Sequence, residues 1–318
     1  MIFAMVVIGG ITRLTESGLS ITEWRPVGGA IPPLSEAEWQ RVFELYRQIP
    51  EYQQINRGMT LAEFKGIFWW EYIHRLWGRL IGLLFLLPFV WMLIRGRIRR
   101  PLIPHLLAIF LLGGAQGALG WYMVSSGLAE RTDVSQYRLA AHFLLAIAIY
   151  SYAFWIALSL LRTDAPPVPG APRLRWHLRA LAALLAVTLT FGAFVAGLNG
   201  GLVHNSFPLM GGKLIPDDAF GIPWSPFEDP VTAQFIHRWL AVVSVVAALG
   251  LWLRSRGAGA AARPIGLMAA MAALQAALGI GTLLLAADGE MPIALAAAHQ
   301  AGAVVLWTLA LWSLHRAR

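Results

Sequence analysis

Glu71-Tyr72-Ile73-His74-Arg75 puts an acid, an imidazole and a guanidinium inside one end of a long apolar segment. Ionisable groups within a membrane span cost about 3 kcal/mol each on insertion scales, so they face a partner, a cofactor or a water-filled cavity. The pattern returns as Gln234-Phe235-Ile236-His237-Arg238, and each copy is followed by a second histidine in an Ala-rich stretch, His142 and His299. The chain is therefore read around a repeated two-histidine unit. Its acid is present in only one copy.

The span around this stretch has company. With 58% hydrophobic residues and only 13% charged, the chain is a polytopic membrane protein and not a soluble domain. Windows long enough to cross a bilayer, about 20 residues each, fall near 67–94, 102–123, 137–161, 178–198, 232–253, 264–286 and 291–313. Residues 1–10 make half a span before Thr12 and Arg13 interrupt them, without the basic start or cleavage site of a signal peptide. The expectation is a first helix cut short, and an all-α bundle of eight helices.

Charge then orients the bundle. The loops after the second, fourth, sixth and eighth spans carry 13 Arg and one acid, Asp164, whereas the opposite side carries 12 Lys or Arg and 16 acids. By the positive-inside rule the Arg-rich side, with the C-terminus, is cytoplasmic. The pI near 10.4 thus reports topology and not nucleic-acid binding. The absence of cysteine excludes disulfides, thiolate metal sites and covalent heme attachment.

The outer loops carry the remaining local signals. Ser35, with Glu38 three residues on and apolar Trp39, Val42, Phe43 and Tyr46, fits a capped amphipathic helix lying on the membrane surface. The Pro-rich stretch from Thr163 to Pro172 reads as linker. Aligning the halves gives offsets of 163 for His74 and His237, 159 for Gln116 and Gln275, and 157 for His142 and His299. Equal orientation follows from an even number of spans in each half, so the expected architecture is two parallel four-helix repeats. The boundaries read as 1–161 for the first repeat, 162–177 for a cytoplasmic linker and 178–318 for the second repeat.

All four histidines fall near the outer ends of their spans, roughly 10 Å below the boundary at 1.5 Å per residue. Imidazoles facing each other from separate helices suit axial ligation of a heme iron. A lone intramembrane histidine is satisfied by an interhelical hydrogen bond; four at matched depth favour heme. One histidine per helix argues against zinc, whose ligands come closely spaced. Arg75, Arg79 and Arg238 are candidates for heme propionates, with snorkelling as the competing reading. His105, His177 and His315 read as solvated or interfacial, and His204 is open. Glu71 shares a helix face with His74, while Gln234 replaces it in the second copy. A carboxyl group can exchange a proton at neutral pH and an amide cannot. The halves therefore read as a reacting site and an electron-handling one.

Together, Gly9 to Ser20, Glu71 to Arg75, Ala140 to Phe143, Phe235 to Arg238 and Ala296 to Gln300 resemble the heme A synthase family over nearly the whole chain. Lacking a cysteine pair in the first outer loop, the chain is similar to the proteobacterial and mitochondrial branch. The resemblance implies an oxidoreductase of the bacterial inner membrane that converts the C8 methyl of heme O to a formyl group, with water as oxygen source. It implies His74 and His142 around the substrate heme, His237 and His299 on a resident heme b, and Glu71 as the acid–base residue. Implied partners are heme O synthase and an electron acceptor; the glycine-rich helix faces permit self-association. A diheme electron-transfer cytochrome and a heme carrier or export module remain open alternatives.

Overall fold

The computed structural model describes residues 1–26, 28–161, 171–286 and 289–317. Among them there is no strand. Seven helices are long and apolar enough to cross a membrane, and one shorter apolar helix precedes them. The chain divides into two compact units, Met1–Ile149 and Tyr150–Arg318, with the boundary inside a helix.

The first unit holds α1 (Ile2–Leu14), α2 (Glu36–Tyr46), α3 (Pro50–Gln54), α4 (Leu61–Ile94), α5 (Ile103–Val124) and the first half of α6 (Gln136–Leu160). The sequence-read helix after Ser35 is present as α2. Its cap is made by Ser35, whose hydroxyl accepts from the Glu38 N–H at 3.2 Å, while Glu38 reaches back to the Leu34 N–H at 2.8 Å. The apolar face of α2 is not left for the membrane surface. Trp39, Phe43 and Tyr46 are buried with Tyr52, Phe64, Phe68 and Tyr72 in an aromatic cluster against α4.

That cluster explains the length of α4. At 34 residues it exceeds the roughly 20 a bilayer requires, because its first turns pack Phe64 and Phe68 on the outer helices. Thr60 and Glu63 close its N-terminus with a reciprocal capping box. His74 is thus further from its helix start than the other three histidines from theirs.

The second unit contains the end of α6, α7 (Ala171–Gly197), α8 (Ser225–Glu228), α9 (Pro230–Arg254), α10 (Ala262–Leu285) and α11 (Ile293–Arg316). Residues 162–170 of the expected linker lie outside the described residues. Residues 171–177, assigned to it from their prolines and arginines, are helix instead. Pro172 stands in the first turn, where its missing N–H costs nothing. The core is Leu178, Leu181, Leu185, Ile265 and Met268, interleaved with Ala248, Ala269, Ala272 and Ala310. Without a hydrophobic driving force between helices in lipid, such small residues let backbones approach and pack.

Candidate functional site

In the second unit His237 on α9 and His299 on α11 come together with ring centroids 6.4 Å apart and planes at 89°. Each ring is held through Nδ1 by a main-chain carbonyl of an adjacent helix. His237 Nδ1 lies 3.0 Å from the Thr188 carbonyl of α7, and His299 Nδ1 lies 3.1 Å from the Gln275 carbonyl of α10 and 3.0 Å from the Gln275 side-chain amide nitrogen. A proton on Nδ1 donated to a carbonyl leaves Nε2 with its lone pair, the form in which histidine binds a metal. Two metal–imidazole bonds of about 2 Å each, plus the two ring radii, separate the centroids by roughly 6 Å. His237 and His299 are therefore residues that could hold one heme iron between them, by the spacing of their rings and the nitrogen left available.

In the first unit His74 on α4 and His142 on α6 lie within electrostatic reach of each other, and their rings are held differently. His74 Nδ1 is buried with no hydrogen-bond partner. His142 meets only the Gln116 side-chain amide, whose nitrogen is 3.2 Å from Nδ1 and 3.3 Å from Nε2. Gln116 also donates to the His142 carbonyl at 2.9 Å, as Gln275 does to that of His299 at 2.7 Å. These glutamines, visible in the sequence only as a repeat, tie each of the two helices to its predecessor.

A glycine faces each imidazole. A Cβ on Gly9 would sit 2.8 Å from His74 Cε1, on Gly120 2.9 Å from His142, on Gly192 3.1 Å from His237 and on Gly279 2.7 Å from His299. Any side chain there would push the ring off its position. The signal that could have found the role of these glycines is one glycine on the helix preceding every histidine helix.

Glu71 is 2% exposed, and its carboxylate accepts four hydrogen bonds. Oε2 takes the Ser20 hydroxyl at 2.7 Å and the Ile21 N–H at 2.6 Å; Oε1 takes Arg75 Nε at 2.9 Å and Nη2 at 2.6 Å. Arg75 continues to the Ile21 and Glu23 carbonyls at 2.7 and 3.2 Å. Gln234 donates to the Gly200 and Val203 carbonyls at 2.8 and 2.6 Å, and its oxygen accepts from Arg238, which reaches the His204 and Ser206 carbonyls. Arg79 binds the Pro26 and Arg25 carbonyls, yet its Nη1 is buried and unpartnered. Of the three arginines singled out for propionates, Arg75 and Arg238 are thus committed largely to loop carbonyls. Among the described residues Arg79 keeps Nη1, and Arg238 keeps Nε, as a buried donor with no partner.

The remaining histidines divide. His105 and His177 are exposed as expected. His315 is not: it is 5% exposed, edge-on to Trp155 and 3.3 Å from the Ser159 hydroxyl. Its neighbouring arginines suggested solvent, but the apolar face of α11 continues to its last turn. His204 pairs with Asp218 at 3.0 Å in the segment between α7 and α8, and that ring holds the Asp218 carboxyl below the usual carboxylate range.

Two all-helical units with paired histidines on apolar helices define a polytopic membrane protein. Residues 1–311 match the family of cytochrome oxidase assembly proteins, and the chain belongs to that family. It is 54% identical to the heme A synthase of Rhodospirillum centenum over 100% of this chain and 86% of that relative. It is 51% identical to the heme A synthase of Paramagnetospirillum magneticum, over 99% of this chain and 90% of that one. The heme A synthase of Nitrosospira multiformis is 48% identical over 100% and 90%.

Proposed function

We propose that this protein is a heme A synthase that oxidises the C8 methyl of heme O to a formyl group. The observation that carries the reading is the His237–His299 pair, spaced and anchored for a bis-imidazole heme. A heme b held there would take up and pass on single electrons.

His74 and His142 are the groups we assign to the substrate heme. Neither ring is anchored by a main-chain carbonyl, which suits a ligand pair that must take in one porphyrin and release another. The buried donors left without a partner among the described residues, Arg79 Nη1 and Arg238 Nε, support those two residues as propionate contacts ahead of Arg75.

The chemistry balances with water as oxygen source. The methyl loses two electrons and two protons as water adds to give the alcohol. A second water adds with the same loss to give the geminal diol, which sheds water to leave the aldehyde. Four electrons leave for an acceptor, and four protons need a base. Glu71, one helical turn from His74, is the residue we assign to proton uptake. All four of its acceptor positions are filled, so one donor must withdraw first, and the Ser20 hydroxyl is the donor that can turn away. The Arg-rich loops support a C-terminus on the cytoplasmic side of the inner membrane, with the histidines towards the opposite face. Heme O synthase would supply the substrate.

The test is pyridine-hemochrome spectroscopy with chromatographic heme analysis of membranes expressing this chain together with a heme O synthase. Heme A and its hydroxylated intermediate should appear, and both should vanish with Glu71→Ala. Heme b alone, bound and unchanged in the presence of heme O, would transfer the protein to electron carriage.

A further inference from the structure

The Glu71/Gln234 difference has a second physical basis, independent of proton transfer. Each residue sits one turn before an arginine, and each pair binds the main chain of an outer segment. The polarity of that segment is opposite in the two units. Glu71 meets donors, the Ser20 O–H and Ile21 N–H. Gln234 meets acceptors, the Gly200 and Val203 carbonyls. A carboxylate is acceptor-only, and an amide nitrogen is a double donor. Exchanging them would set amide hydrogens against either the Ile21 N–H or the Arg75 guanidinium in one unit and carboxylate oxygens against two carbonyls in the other.

We infer that Glu71–Arg75 and Gln234–Arg238 are matched clamps that hold the outer segments Ser20–Glu23 and Gly200–Ser206 down on α4 and α9. Glu71, Arg75, Gln234 and Arg238 are positioning residues in this role. Arginine completes each clamp, reaching the Ile21 and Glu23 carbonyls in one and those of His204 and Ser206 in the other. The segments lie beside the histidines because the clamping residues stand three positions before His74 and His237 on the same helices. Glu71 is buried with its acceptor capacity spent, so losing the match leaves buried donors unsatisfied and the segment detached.

The chain has no cysteine, so single reporter cysteines are unambiguous. Thr22→Cys and Val203→Cys, each half-buried at present, are placed separately in the full chain, purified in detergent and labelled with a polar maleimide. Glu71→Gln should speed labelling at position 22 by roughly tenfold or more, the scale of losing a hydrogen bond to a charged group, and leave position 203 slow. Gln234→Glu should do the reverse. Unchanged labelling at the clamped segment in either variant overturns the inference. So does acceleration of both reporters by one substitution, which is general loosening. Neither rate depends on turnover, so failure here leaves the synthase reading untouched, and the heme analysis above leaves the clamps untouched.

Discussion

The rings of His237 and His299 stand nearly perpendicular, at 89° with 6.4 Å between centroids. If this pair holds a heme as proposed, imidazole planes crossed in this way would leave the two iron dπ orbitals that accept their donation close in energy. A ferric low-spin heme held by this pair should therefore give a strongly anisotropic electron paramagnetic resonance signal with a large principal g value. Parallel rings would give the ordinary rhombic one. His237→Ala and His299→Ala should each abolish that signal while the apolar helices stay inserted. Persistence of the signal in either variant would place the heme elsewhere.

The four glycines under the imidazoles grade a second expectation. An added methyl would come within 2.7 Å of His299 at Gly279 but only within 3.1 Å of His237 at Gly192. Overpacking a tight contact costs about 1–3 kcal/mol, so Gly279→Ala should lose more heme and more thermal stability than Gly192→Ala. Gly9→Ala and Gly120→Ala should both disturb the first unit, where the ring has no carbonyl anchor to oppose its displacement. Heme-to-protein ratio and detergent melting curves check the order. Equal losses at Gly279 and Gly192 would show that the rings move freely.

Glu51 supplies a pH dependence outside the spans. Burial pushes its carboxyl up to about 8, with the negative charges of Glu16, Asp133 and Glu71 adding and the Tyr46 hydroxyl, 3.1 Å away, working the other way. The folded chain then holds a proton that the unfolded chain releases near 4.5. The stabilisation from this group is full below that unfolded value and is lost as pH rises through about 8. Its size is on the order of a few kcal/mol. Tryptophan and tyrosine fluorescence of the Trp39–Tyr46–Phe64 cluster should report earlier unfolding at alkaline pH. Glu51→Gln, which keeps an acceptor for Tyr46, should flatten the profile. A wild-type profile already flat from pH 6 to about 9 would contradict a buried, protonated Glu51.

Much of this was legible because membrane insertion writes itself into composition. The seven spans follow from apolar windows, and His74, His142, His237 and His299 stand out because polar groups there are costly. What escaped depends on the third dimension. The carbonyls of Thr188 and Gln275 are backbone atoms, so no side-chain pattern announces that they hold His237 and His299. The filled acceptor positions of Glu71 escaped for a related reason: Ser20 and Ile21 lie fifty residues away in a loop with no periodicity. The Pro172 start of α7 was misread because proline punctuates linkers and opens helices alike. The buried His315 was misread because sequence neighbours are not spatial ones.

Gln275 offers a final separation of hydrogen bonding from charge. Its amide nitrogen donates to the His299 carbonyl at 2.7 Å, while its own Oε1 is buried without a partner. Gln275→Leu removes the amide nitrogen's contacts with the His299 carbonyl and Nδ1, interhelical hydrogen bonds worth about 0.6 kcal/mol each on average within membranes. It also removes the orphaned oxygen, whose burial already costs stability. The two nearly cancel, so this variant should melt within a few degrees of the parent. Gln275→Glu keeps the shape but turns a donor into an acceptor facing the same carbonyl, and it buries an unpaired charge. That carries the few kcal/mol of an uncompensated ion, so this variant should lose both heme and thermal stability. The comparison is decisive because shape, chain length and position are held nearly constant between Gln275 and its Glu variant. If Glu were tolerated and Leu were not, the amide nitrogen would not be the group that positions His299.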